Sequence, residues 1–175
     1  MPTNWTLDKA HSEITFKVRH MMIANIKGEF KSFDVNVNGS GDDFSKMQVN
    51  VKIDANSIET NSADRDTHLR SADFFDTENF PTIHFESTSF VSQSDGEYTL
   101  AGNLTLHGVT QPVVLNVEYG GVGLDPWGNT KAGFTVSGKI NRKDFGLNWN
   151  AALEAGGVLV SEDVKIFAEI QLAGA

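Results

Sequence analysis

Residues 98–119 read YTLAGNLTLHGVTQPVVLNVEY, two alternating runs joined by a short link. In the first run Leu100, Gly102, Leu104 and Leu106 share one phase, opposite Thr99, Asn103 and Thr105. In the second, Val113, Leu115, Val117 and Tyr119 share a phase, opposite Asn116 and Glu118. A period of two with one apolar side marks a half-buried antiparallel strand. The link, placed at residues 107–112, holds Gly108 and Pro112, both suited to turns. This hairpin needs a cover for its apolar side, and the rest of the chain carries the same pattern.

Upstream, Ile14, Phe16, Val18 and His20 share a phase, and Met21 to Ile23 then break it at a bend or rim. In residues 26–37 the phase of Gly28 and Phe30 slips to that of Phe33, Val35 and Val37 near Lys31 and Ser32, as a bulge produces. Residues 38–43 form a turn, and Met47, Val49, Val51, Ile53 and Ala55 then alternate. Ile83 and Phe85 follow in a strand over residues 82–90. Downstream of the hairpin, residues 120–129 read as a Gly-rich link. Ala132, Phe134, Val136, Gly138 and Ile140 then share a phase, and residues 141–149 read as a polar turn. Residues 150–162 carry no clear assignment. Val164, Ile166, Ala168, Ile170 and Leu172 form the last strand.

Residues 57–81 do not alternate. Ser62 is suited to cap a short helix, with Asp64 in its first turn. Asp64 with His68, and Asp66 with Arg70, stand four apart and are expected to pair on one face. Leu69, Phe74 and Phe75 would pack this insert, near residues 62–76, over one end of the sheet, and Pro81 ends it. About eight strands at hairpin spacing and one helical insert make the chain a single all-β domain over residues 1–175. An antiparallel barrel is preferred to a sandwich, because closure removes exposed edges.

Composition narrows the function. The net charge is -9, from 23 acidic and 14 basic residues, which argues against nucleic acid or an anionic membrane as partner. Without cysteine there is no disulfide, thiol nucleophile or thiolate-held zinc. No apolar run approaches the roughly 20 residues of a membrane span, so the protein is not expected to be integral to a membrane. The first residues show no signal peptide, which makes a cytoplasmic location the expectation, with a periplasmic or secreted one if the chain is a mature form. His11, His20, His68, His84 and His107 stand at no metal-ligand spacing, so neither metal nor cofactor is expected.

An eight-stranded barrel either fills with side chains or holds one small ligand. Gly28, Gly102, Gly138, Ala132 and Ala168 lie in the inward phase. Either they leave room in a lumen, or they mark bends and close approaches of strands. A hollow barrel would be lined by Ile14, Phe16, Val18, Phe30, Val49, Val51, Phe85, Leu104, Leu106, Phe134, Val136 and Ile166, with Phe75 from the insert. Val113, Leu115 and Val117 are left out while the second hairpin arm is unplaced. Such a lining suits a hydrocarbon tail. Each buried CH₂ gains roughly 0.8 kcal/mol, against an association cost of about 4 to 15 kcal/mol, so useful affinity calls for more than about ten carbons.

His20, at the end of an inward phase, either offers a hydrogen bond to a polar head or is a rim histidine satisfied by the backbone. Arg65, Asp66, His68 and Arg70 form either a headgroup contact or a network anchoring the insert, and Arg142 and Asp144 pose the same choice. No nucleophile or phosphate-loop motif is present, so an enzyme is not expected.

The stretches WTLDKAHSEITFKVRHM (5–21), ANIKGEF (24–30), SIETNSADRDTHLRSADFFDTENFPTIHFEST (57–88), GNLTLHGVTQPV (102–113) and INRKDFGLNW (140–149) resemble the YceI-like family, in order and over residues 5–172. The resemblance implies a lipocalin-like barrel with a short helical insert, binding a long amphiphile such as a polyisoprenoid, a fatty acid or a fatty amide as carrier, store or sequestering protein. Many family members are periplasmic or secreted, from which the lack of a visible signal here departs. Two rivals stand beside binding: a lipid-modifying enzyme using His20 or His68, and a filled barrel acting through its surface. Oligomeric state is open, with a homodimer among the partners considered.

Overall fold

Backbone pairing joins every strand among the described residues into one sheet that closes on itself. The computed structural model describes residues 4–21, 23–39, 43–150 and 160–174. The segments are β1 (Trp5–Leu7), β2 (Glu13–His20), β3 (Ala24–Phe30), β4 (Phe33–Asn38), β5 (Gln48–Asp54), β6 (Ile58–Glu59), β7 (Thr82–Ser94), β8 (Glu97–Leu106), β9 (Val109–Leu124), β10 (Thr130–Asn141) and β11 (Val160–Gly174), with one helix, α1 (Ala63–Arg70). β1 and β2 follow one another along the same side of β11. β3 and β4 likewise pair with β2 and β1 in turn, and β6 and β5 with β3 and β4. Counting each such bent pair as one strand gives a closed antiparallel barrel of eight, each strand hydrogen-bonded to its sequence neighbours and the last to the first. The expected slip near Lys31 and Ser32 is the break between β3 and β4. There the Ser57 carbonyl accepts from the Lys31 amide, and the Ser57 hydroxyl from the Ser32 amide.

β8 and β9 form the hairpin at the centre of the pattern, in register from Leu106 opposite Val109. The turn is only His107 and Gly108, with φ of 55° and 72°, the left-handed pair of a tight two-residue hairpin. Pro112 therefore lies inside β9 and not in the turn. It is tolerated because β10 pairs with β9 only from Asn116 onward, so no ladder donor is required of Pro112 on that side. The Gly-rich link also shrinks: β9 runs on to Leu124, and the turn covers residues 125–129, where Asp125 accepts from the Trp127 and Asn129 amides.

One end of the barrel is shut by aromatic rings. Phe44, brought in by a short 3-10 turn, packs on Trp5 at 5.3 Å, Tyr119 at 5.7 Å and Phe134 at 4.9 Å between ring centroids. Tyr119 continues the cluster to Tyr98, which stacks on Phe90. The other end carries α1 and the segment of residues 142–150. α1 is shorter than the insert expected near residues 62–76, and Ser62 caps it by accepting from the Arg65 amide. The expected pairs within it do not form. Asp66 is buried and accepts from the Thr60 amide and hydroxyl. Arg70 donates to the Asn56 and Ile58 carbonyls. His68 donates to Asp73 at 2.8 Å. Backbone groups of Asn56, Ile58 and Thr60 beside the helix take up Arg70 and Asp66, and His68 pairs with Asp73 instead of Asp64. Among the described residues no helix is long and apolar enough to cross a membrane.

The link between β1 and β2 is tied across to β10 by Lys131, whose ammonium sits 2.8 Å from an Asp8 carboxylate oxygen. This hydrogen bond, with a second from His11, holds the Asp8 carboxyl down to about 2, against its ordinary 3.8. A carboxyl lowered on folding stabilises the protein above its unfolded value and ceases to do so as pH falls through the folded one. Asp8→Asn is expected to remove about 1 kcal/mol at neutral pH, since the pair is partly solvated. It should also flatten the loss of stability between pH 3.8 and about 2, as read from urea midpoints against pH.

Candidate ligand-binding cavity

The space above the aromatic floor is empty of protein. A cavity of about 530 Å³ runs from it to the α1 end, within the usual size of small-molecule sites. All but one of the residues expected to line a lumen do line it. β2 contributes Ile14, Phe16, Val18 and His20, β3 Phe30, β5 Val49 and Val51, β7 Phe85, β8 Leu104 and Leu106, β10 Val136 and β11 Ile166. Phe75 and His68 come from the helical region. Several of these side chains point inward yet are only half-buried, which is the mark of a wall facing a void.

Phe134 is the exception. It has the inward phase of Val136 but stands one step nearer the closed end, where Phe44 and Tyr119 cover it. Phase gives the face of a strand, not the height along the barrel. Sequence reasoning left out Val113 and Leu115 of β9, which line the cavity in the phase that the hairpin pattern had already shown. It also missed Leu147 and Trp149, since residues 141–149 read as a polar turn while Phe145 and Leu147 are buried there. Residues 151–159, part of the stretch without an assignment, lie outside the described residues, as do Met22 and residues 40–42 of an expected turn.

The inward glycines do not open the lumen. A Cβ on Gly28 would lie 2.3 Å from the Phe16 ring, and one on Gly102 2.6 Å from the Phe85 ring. Leu115 occupies the corresponding place over Gly138. Each glycine is a seat for a large neighbour, so the close-approach reading holds and the room comes from elsewhere. At Gly102 the Glu86 carbonyl also stands 2.4 Å from the added carbon, and backbone cannot swing aside. Gly102→Ala is expected to cost about 1–3 kcal/mol, seen as a lower denaturant midpoint with an unchanged slope.

Polar groups gather at the α1 end. His20, Thr60, Asp64, Arg65, His68 and Arg142 all border the cavity there. Arg65 donates through Nε to the Thr60 hydroxyl at 2.7 Å and through a terminal nitrogen to the Thr60 carbonyl at 2.6 Å. His68 lies edge-on to Trp149 and Phe74, at 4.7 Å and 5.1 Å. The cluster of Arg65, Asp66, His68 and Arg70 thus divides: Asp66 and Arg70 anchor the insert, while Arg65 and His68 reach the cavity. Arg142 is an anchor. It is buried, and it donates to the carbonyls of Ser161, Leu147, Trp149 and Val160. Burial pushes its pKa down, opposed by the charge of Glu162. Among the described residues no His, Asp and Glu come together as a metal cluster.

A closed antiparallel barrel with one blind aromatic end and an apolar lumen meeting a polar rim defines a lipocalin-like ligand-binding architecture. The YceI-like domain matches residues 5–172, and the chain belongs to the YceI-like family. It is 41% identical over 172 residues to a UPF0312 protein of Staphylococcus aureus strain MSSA476, covering 98% of each chain. Among solved structures it is similar to the Campylobacter jejuni YCEI protein, at 31% identity, a TM-score of 0.76 and 97% of both chains. It shares its fold with Burkholderia cenocepacia BcnA (TM-score 0.81, 20% identity, 94% of this chain and 98% of that one). The same holds for a polyisoprenoid binding domain from Saccharophagus degradans (TM-score 0.69, 17% identity, 99% of both).

Proposed function

We propose that this protein binds a long-chain amphiphile, with the tail in the barrel lumen and the polar head near His20, Arg65 and His68, as carrier, store or sequestering protein. One observation carries this reading: a cavity of about 530 Å³ walled mostly by Leu, Ile, Val and Phe, with the charged and histidine side chains among its described lining residues gathered at one end. At roughly 30 Å³ per water-sized group the cavity takes on the order of 15 to 20 carbons. Burying that many gains about 12 to 16 kcal/mol, enough to exceed most estimates of the association cost. A polyisoprenoid, fatty acid or fatty amide is the class of tail that fits. The Saccharophagus degradans relative in fold is itself a polyisoprenoid binding domain.

Native mass spectrometry of gently purified protein tests this, followed by uptake of long-chain isoprenoids and amides. Adduct masses of one lipid per chain are expected. A protein that arrives empty and stays empty with every such lipid would end the proposal. An unpacked lumen of about 530 Å³ speaks against the filled-barrel alternative. The enzyme alternative rests on His68 and Asp73, a base and a carboxylate 2.8 Å apart beside the cavity. A pH-dependent lipid conversion lost in His68→Ala with uptake intact would favour it.

A further inference from the structure

Lys17, Lys27, Lys139 and Lys165 are scattered in the sequence, but barrel closure lines them up. Lys139 stands opposite Lys165, Lys165 opposite Lys17, and Lys17 opposite Lys27. The four form one rung across β10, β11, β2 and β3 on the outer face, spanning about 14 Å at roughly 4.8 Å per strand. Like charges directly opposite on a sheet are destabilising, so the rung opposes folding unless something else uses it. Little neutralises it. Among the described residues no hydrogen bond or ion pair is formed by the ammonium groups of Lys27 and Lys165, and Lys17 lies over the Phe167 ring at 5.8 Å. Lys139 has Asp163 at 3.8 Å, with both side chains largely exposed. The carboxylates of Glu13, Glu29 and Glu169 lie on rungs further toward the closed end; toward the mouth lie Arg19 and, on β11, Asp163 and Glu162, the latter 2.9 Å from the Lys143 ammonium.

The same strands form the mouth. Val18 and His20 on β2 and Val164 on β11 alternate with the lysine rung and line the cavity. Where β2 turns into β3, Met21 and Ile23 are 45% and 78% exposed. This tip lies four residues beyond the rung, about 10 Å along the axis of a barrel with the usual strand tilt. Apolar residues that dip into a bilayer interface reach about 5–10 Å, which would bring the rung to the headgroup layer.

We propose that the β2–β3 hairpin and its lysine rung dock the mouth of the barrel on an anionic lipid bilayer. The net charge of -9 does not prevent this, because charges beyond about 10 Å are screened at 0.1 M salt. The direction of the mouth toward a lipid reservoir rests on the binding reading above, whereas the charge pattern does not.

The test is co-sedimentation of the full chain with vesicles of phosphatidylcholine alone or with 30% phosphatidylglycerol. Binding is expected only with the anionic lipid and should vanish at 0.5 M salt. Each lysine at such a surface is worth roughly five-fold, so Lys17→Gln with Lys165→Gln should weaken binding about 25-fold. Met21→Ser with Ile23→Ser should weaken it as well. Equal binding to both vesicles, no binding, or no effect of the lysine pair would overturn the proposal. Retention on immobilised polyglutamate without vesicle binding would do the same, in favour of an acidic protein partner. Uptake of a water-dispersed fluorescent fatty amide, measured without vesicles, separates the two readings. The lysine variants should leave it unchanged. A wild-type chain that refuses the amide yet binds anionic vesicles would sink the lumen reading and leave the docking surface standing.

Discussion

A double variant, Val51→Phe with Val136→Phe, is expected to lose long-chain ligand while keeping its fold. β5 and β10 are four places apart around the ring of eight, so these residues project from opposite walls into one cavity. Each substitution adds four carbons to the lumen, about eight in all. Displacing that much tail forfeits roughly 6 kcal/mol at about 0.8 kcal/mol per CH₂. Affinity should fall by more than about a thousandfold, read by ligand titration or by the disappearance of the lipid adduct in native mass spectrometry. Because the added rings enter an empty space and not a packed core, thermal stability should hold or rise. Stability lost together with binding would mean that the void is smaller in solution than the structure shows.

Arg142→Ala should be the most damaging single substitution outside the barrel wall. The guanidinium ties the turn after β10 to the start of β11 through four carbonyl oxygens, and its removal strands several of them in a buried place. At about 1–3 kcal/mol for each group left without a partner, with partial rescue by water, a loss of about 3–5 kcal/mol is expected in urea denaturation. Arg142→Lys should recover little, because one ammonium cannot reproduce a fork of donors. Hydrogen exchange should show the loss concentrated at residues 147–149 and 160–161, where those acceptors lie.

Much of the lumen was legible in the sequence because alternation is written into the backbone. Side chains two apart point the same way, so Ile14, Phe16 and Val18, or Leu104 and Leu106, declare a common face without reference to any other strand. The loss of alternation and the Ser62 cap marked the helical insert, and the family resemblance added the expected ligand class. What escaped were properties of pairs far apart in the chain. The ring over each glycine came from a neighbouring strand, so the sequence left the choice between vacancy and seat open at Gly28 and Gly102. Phe134 shared the right face and lay at the wrong height. Arg142 looked like a turn residue until its acceptors on β11 were in place.

The charge argument has the same limit. A sum of -9 describes the whole chain, while a surface within a screening length feels only its nearest charges. Amino-acid order alone determined which side of each strand is apolar, where the alternation breaks, and that no thiol chemistry is present. Tertiary structure alone decided how deep the lumen runs, which polar groups reach its rim, and that four lysines from distant segments share one rung. The division follows from range: side-chain direction is set between adjacent residues, whereas height, depth and neighbourhood are set by the register that ring closure imposes on the strands.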